Sequence, residues 1–469
     1  MTAQKQAQKQ ARQPSVPTGH GGPTYQDIIG RDSTPVPDVL ALRSNPPQSA
    51  DDIPAQHFIS KSFFDLEMEK MWSKVWQFVC REENLAEVGD YWVYDIGRHS
   101  IIVIRASETE IKAYHNSCLH RGTKLKPSGS TGFSRDLQCP FHGWTWSLQG
   151  NLEHVPCDWE FPHLDREANR LPEVRVETWN SFVFINMDTG AKPLIDYLEV
   201  MPAHFENWRF EGWHTYQIIE KELACNWKVA LEGFMEAYHT PLVHPEMTHV
   251  VGDWNMQHDI FGDHTSRDLC PLGVSSPASK LGLTEQDLLD RSGLGDPSTR
   301  KQAKVTPGKT ARIAMAEQVR KQFSERYGID LSHLSDAECI DSLKYNIFPN
   351  TILYGGPGLP QIQQFLPLGN DADRCLFVSW GFRPVPPEAP RPELVEPYRV
   401  KEEESFTTAP GINAFSGRVL DQDTSIMRWQ QEGMHASAKG AQTLSNYQES
   451  RIRRIHETLM KYISGELPG

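Results

Sequence analysis

No stretch of this chain is long and apolar enough to cross a bilayer; its most hydrophobic segments, such as SIIVIRA at 100–106, have the length of a strand. No basic–apolar–cleavage signal opens the sequence, so a cytoplasmic protein with no membrane attachment is expected. Lys5, Lys9 and Arg12 lie near the start without acids, but the Gln/Ala richness around them favours a disordered arm over a transit peptide. Positive charge is scarce overall. The 47 basic residues stand against 61 acidic ones, a net charge of −14, which argues against the basic surface that a nucleic-acid partner requires. Cysteine is sparse too, eight residues in 469 with no secreted-disulfide spacing. Cys80, Cys157, Cys225, Cys270, Cys339 and Cys375 are expected to be buried thiols. No glycine-rich dinucleotide fingerprint follows a strand, and no internal repeat is evident. A hydrophobic content of 38% over this length is enough for two buried cores.

Against that background two short loops stand out. Cys118-Leu119-His120 and Cys139-Pro140-Phe141-His142 each offer one thiolate and one imidazole, in the settings CLHRG and CPFHGWTW. A two-iron, two-sulfide Rieske cluster needs two Cys on one iron and two His on the other. A Cys2His2 zinc site uses the same ligand types but usually sets its Cys close together and its His close together. Here each loop mixes one of each, which points to the redox cluster.

A second constellation lies in NWKVALEGFMEAYHTPLVHPEM (Asn226 to Met247). Trp227, Ala230, Leu231, Phe234, Met235 and Tyr238 recur at helical spacing, while Glu232, Glu236 and His239 gather on the opposite side. A solvated polar face is the plain alternative. His244 follows His239 by five residues, with Pro241 between them. Proline is expected to kink or end the helix there, and a distorted turn would then swing His244 back toward His239. A 2-His-1-carboxylate iron site needs one more ligand. In the helical stretch Arg418 to Met434, Asp423 falls within an apolar stripe of Val419, Leu420, Ile426, Met427 and Met434. A carboxylate there requires a partner, whether a metal, a hydrogen-bonding group or a helix cap.

With these residues in view, the chain resembles the α (terminal oxygenase) subunit of the Rieske non-haem iron ring-hydroxylating oxygenases. The likeness runs from about Ile59 to the C-terminal helix and includes EKMWSKVWQFVCREENLAEVGDY, both cluster loops, NWKVALEGFMEAYHTPLVH, IFPN at Ile347 to Asn350, and Gln422-Asp423. The resemblance implies that Cys118, His120, Cys139 and His142 bind a [2Fe–2S] Rieske cluster. It implies that His239, His244 and Asp423 bind a mononuclear non-haem Fe(II). It places Glu236 in the catalytic set as an acid linking His239 to a cluster histidine, His142, of the neighbouring subunit in a head-to-tail homotrimer, with or without a small β subunit. Glu232 is expected either beside the site, at an interface, or simply solvated.

The expected fold class is α+β, a β-rich Rieske domain joined to a larger helix-grip-like catalytic domain. The expected divisions are a flexible arm over 1–50, a helix packing on the catalytic domain over 51–78, the Rieske domain over 79–187 and the catalytic domain over 188–469. Within the first part, Ser62 to Phe78 reads as one amphipathic helix with Ser62 as its N-cap. The stretch 250–342 lacks a core pattern and is read as a lid or insert. The resemblance implies an enzyme that takes O2, an apolar or aromatic small molecule, and electrons from a separate NAD(P)H-linked reductase, directly or through a ferredoxin. Dihydroxylation of an aromatic ring is the leading expectation. Monooxygenation or demethylation on the same scaffold is the alternative, and a purely electron-carrying protein the remote one. Phe234, Tyr238, Phe348 and Tyr354 are candidate pocket residues.

Overall fold

The computed structural model describes residues 22–292, 303–386, 388–390 and 392–467. Around the cluster loops lies a seven-stranded antiparallel sheet. Its order is Gln77–Arg81, Phe182–Asn186, Glu173–Trp179, Ile111–His115, His99–Arg105, Asp90–Ile96 and Thr131–Phe133. Within SIIVIRA, Ile101 to Ile104 are apolar without alternation because both faces of the strand are buried there. Ile101 and Val103 join the main core, while Ile102 and Ile104 join a smaller core with Cys118, Cys139, Trp144 and Trp146. Three short strands, Leu137–Gln138, Thr145–Trp146 and Leu152–His154, close that smaller core.

The second half is built on an eight-stranded sheet. Its order is Gln257–Ile260, Thr265–Cys270, Ser342–Ile347, Thr351–Gly355, Gln361–Pro367, Cys375–Pro384, Trp213–Leu223 and Tyr398–Val400. All neighbours are antiparallel except the last strand, which runs parallel to Trp213–Leu223. The helix Trp227–Phe234, which leads toward His239, and the helix Ala414–Ala436, which carries Asp423, pack against each other and against this sheet. The α+β architecture is the one expected.

Several local expectations are corrected. The helix read over Ser62 to Phe78 is Lys61–Glu67 followed by a wider turn over Met68–Trp72, and Gln77 and Phe78 already belong to a strand. Its cap is Ser60, whose hydroxyl accepts from the Phe63 amide. The arm over 1–50 is not loose where it is described. Tyr25 is 1% exposed and its hydroxyl donates to Asp341 Oδ2 at 3.0 Å; the Ser44 amide donates to Asp259 at 2.8 Å, and Arg312 pairs with Asp32 at 2.8 Å. Residues 1–21 lie outside the described residues.

The stretch 250–342 is not a lid as a whole. It contributes two fully buried strands of the large sheet, Gln257–Ile260 and Thr265–Cys270. Their polar residues are buried with partners, Arg267 Nε on Asp259 Oδ2 at 2.7 Å within the pair of strands and Asp268 with Arg451 from the last helix. Cys157 is an exposed thiol rather than a buried one. Among the described residues, no helix is long and apolar enough to cross a membrane.

Candidate metal centres and the cavity beside them

The two cluster loops are tight turns. The Gly122 amide donates to the Cys118 carbonyl at 2.8 Å and the Gly143 amide to the Cys139 carbonyl at 3.1 Å. Both glycines have positive φ, +80° and +72°, where a side chain would be strained. The turns bring the Cys118 and Cys139 thiols into hydrogen-bond contact at the floor. Burial works against the Cys139 thiolate, but the amides of His142 and Phe141 point at its sulfur and hold its pKa below the ordinary value. Above them the His120 and His142 rings lie 4.7 Å apart at 70°, and His120 stacks on Trp144 at 4.9 Å, nearly parallel. His120 Nδ1 is buried and has no hydrogen-bond partner. Two facing thiols and two imidazoles, one with an orphaned ring nitrogen, fit a Cys2His2-ligated two-iron cluster.

The second centre is set by Asn226. Its side-chain oxygen caps the helix at the Lys228 amide, its Nδ2 donates to the carbonyls of Phe58 and Ala372, and its backbone amide donates to Gln431. The helix is shorter than expected: it ends at Phe234, and Pro241 lies in the first turn of a new short helix, Thr240–Val243, instead of kinking a continuous one. That break brings His239, at the N-cap, and His244, at the C-cap, to one point. Asp423 comes to the same point from the long helix, and one ligand atom from each of the three residues lies within 4.8 Å of the others.

The outer nitrogens of both rings are already committed. His239 Nδ1 bonds Glu236 Oε1 at 2.5 Å, and His244 Nδ1 bonds Gln422 Oε1 at 2.8 Å. Both Nε2 atoms therefore face Asp423 Oδ1, at 3.4 Å for His239 and 2.6 Å for His244. Burial opposes charge on His239, yet Asp423 and Glu236 outweigh it and push its pKa up to about 10. Burial likewise opposes charge on Asp423, and the two imidazoles hold its carboxyl below the usual range. The three groups bind one another through shared protons that a divalent metal would displace, which is the donor set of a facial triad. Gln422 was named only as part of a motif; its role in aiming His244 follows from tertiary contact alone.

The other candidates divide. Phe234 and Tyr354 line a cavity of about 350 Å³ that opens on the triad, whereas Tyr238 is 58% exposed and Phe348 is buried in the core. Ile426, read as part of the apolar stripe, is exposed. Glu232 is neither solvated nor in the cavity. It is buried, and its Oε1 lies 2.8 Å from Nε2 of His456. Burial raises the Glu232 pKa to about 8 and lowers that of His456 to about 3, so at neutral pH a carboxylic acid donates to a neutral imidazole.

The folded chain thus holds a proton on Glu232 that the unfolded chain releases near its ordinary pKa. This stabilisation is complete below about pH 4.5 and is lost as pH rises through about 8. Glu232→Gln keeps the hydrogen bond and removes the titration. Its denaturation midpoint should fall less than wild type's between pH 6 and 9, and parallel curves would show that Glu232 does not carry the slope.

A β-rich cluster domain joined to an α+β domain with a 2-His-1-carboxylate site defines the class of a Rieske non-haem iron oxygenase. The profile of the Rieske [2Fe–2S] domain matches residues 75–166, and that of the ring hydroxylating alpha subunit (catalytic domain) matches 205–465. The chain belongs to the ring-hydroxylating alpha-subunit family, whose two domains use a Rieske [2Fe–2S] cluster and a mononuclear non-haem iron. It is 30% identical over 225 residues to the carnitine monooxygenase oxygenase subunit of Escherichia coli K12 (45% of this chain, 60% of that one). Identity is 26% over 203 residues to the glycine betaine monooxygenase oxygenase subunit of Pseudomonas aeruginosa (43% and 47%). It is 30% over 188 residues to benzene 1,2-dioxygenase subunit alpha of Pseudomonas putida (39% and 42%). The matched stretches span 42% to 60% of those relatives' lengths. The fold is shared with a solved quaternary ammonium Rieske monooxygenase, with TM-score 0.63 and 19% identity over 88% of this chain and 95% of that one.

Proposed function

We propose that this chain is a terminal oxygenase subunit that inserts one atom of O2 into an apolar small molecule, with electrons from a separate NAD(P)H-linked reductase. In this reading Cys118, His120, Cys139 and His142 hold the cluster, and His239, His244 and Asp423 hold the iron. Bound there, the two groups supply one-electron storage and dioxygen activation. The observation that carries the reading is the meeting of His239, His244 and Asp423 at a largely apolar cavity, with both imidazoles fixed from behind by Glu236 and Gln422. The chain's own residues do the positioning. Glu236 and Gln422 set the tautomers, and the aliphatic walls, Met247, Val251, Met256 and Leu272 among them, exclude water.

Insertion of a single oxygen atom is supported by the likeness to carnitine and glycine betaine monooxygenase subunits. Aromatic dihydroxylation is the second reading, favoured by the likeness to a benzene dioxygenase subunit. Turnover under ¹⁸O2 separates them: one labelled atom in the product fits the first and two fit the second. A chain that holds only the cluster and consumes no oxygen would sink both.

A head-to-tail homotrimer is part of the proposal. Its support is an exposed apolar set near the triad in sequence, Tyr238, Leu242 and Trp429, and another on a cluster loop, Phe141, with Arg121 over its ring. Within its own chain Glu236 spends both oxygens on His239, Oε1 on the ring and Oε2 on the backbone amide. Glu236→Gln should leave iron content unchanged and lower turnover by about 10–100-fold. The loss should appear as slower reoxidation of the reduced cluster spectrum on mixing with O2. Unchanged kinetics would remove Glu236 from the site.

A further inference from the structure

The cavity is not uniformly apolar. One wall is the large sheet, and on it polar side chains fall at alternate positions of three adjacent strands. Ser342 and Lys344 lie on the first, Tyr354 on the second, and Gln361 and Gln363 on the third. Lys344 and Tyr354 are direct cross-strand partners, and the Tyr354 hydroxyl donates to Gln363 Oε1 at 3.1 Å. These groups form one continuous strip.

The strip has donors to spare. The Gln363 side chain is buried, and its amide N–H groups donate to nothing among the described residues. Lys344 Nζ donates to the Phe234 carbonyl at 2.9 Å and lies 3.4 Å from Asp268 Oδ2, leaving a third N–H. Asp268 also receives Arg451, so two buried cations share one carboxylate at this wall.

Resting on the oxygenase reading above, we infer that this strip anchors the carboxylate of an amphiphilic acid, with Lys344 and Gln363 as donors. The acid's apolar skeleton then lies against the aliphatic walls within reach of the triad. A hydrocarbon, or a cation without an acid group, would leave these donors unpaired.

Calorimetric binding to the iron-loaded protein tests this with three probes: 2-naphthoate, naphthalene and choline. In wild type, 2-naphthoate should bind at least about tenfold tighter than naphthalene, with choline weaker than both. Lys344→Met should weaken 2-naphthoate about tenfold and leave naphthalene unchanged, while Lys344→Arg should restore most of the loss. Gln363→Leu, which leaves the Asp268 pairing intact, should cost 2-naphthoate about threefold and serves if Lys344→Met does not fold. Equal binding of acid and hydrocarbon, or naphthoate affinity indifferent to both substitutions as when the carboxylate sits on the metal, overturns the anchor and leaves the oxygenase reading untouched. Naphthoate held through Lys344 in a protein that reduces no oxygen would sustain the anchor and defeat the oxygenase reading instead.

Discussion

His239→Ala is expected to purify coloured, with the visible spectrum of the cluster intact, and to oxygenate nothing. Three donors meet at the mononuclear site, and the substitution removes one of them together with the proton-holding contact to Glu236. A facial triad reduced to His244 and Asp423 keeps a single imidazole and a single carboxylate, too few to retain iron(II) against water. Iron should fall from about three atoms per chain to about two. The cluster survives because its loops rest on a core of their own, with Ile102, Ile104, Trp144 and Trp146, that shares no buried residue with the helix around Trp227. Metal analysis alongside turnover decides the matter. A variant that keeps three irons and full activity would remove His239 from the ligand set, and loss of colour would show that the two centres are not structurally independent.

The second large effect lies in the helix Trp227–Phe234, which leads toward His239. Lys228 Nζ meets Glu67 Oε1 at 2.5 Å with both side chains fully buried, and Trp227 Nε1 donates to the other oxygen at 3.2 Å. The rings of Trp227, Phe58 and Phe63 surround the ammonium. Two charges taken out of water are tolerable only as a pair, so Lys228→Met, which strands Glu67, should cost about 3–5 kcal/mol of unfolding free energy. Glu67→Leu with Lys228→Met replaces the pair by apolar groups and should regain most or all of that loss. Urea unfolding of the single and double variants checks both statements. A double variant as unstable as the single would mean that the helix needs the ion pair itself and not merely the absence of an uncompensated charge.

The candidate site was legible in the sequence through its residue types and their spacing. CLHRG, CPFHGWTW, the two histidines around Pro241 and a carboxylate set among aliphatics are unusual patterns; the first two meet at one point of the fold and the last two at another. What was hidden was hidden by burial. QHDI and TSRDLC fall in the stretch read as a lid or insert, yet they are fully buried strands of the large sheet, because Asp259, Arg267 and Asp268 find partners that periodicity does not register. The same blindness hid Glu232, whose wheel position suggested solvent and whose neighbour is His456 from the last helix. The polar strip could not have been foreseen: Lys344, Tyr354 and Gln363 look unrelated until strand pairing sets them side by side.

The strap formed by the first described residues has a consequence for how the molecule is made. Tyr25 reaches its acceptor 316 positions later, and Ser33 reaches Asp336 across 303. A ribosome delivers Tyr25 and Ser33, respectively, 316 and 303 residues before their acceptors, so during synthesis this stretch waits with its polar groups facing water. Closure of so wide a loop is slow and comes late. Docking of the strap therefore follows synthesis of the segment around Asp336 and Asp341, and a nascent chain halted before it carries the strap undocked there.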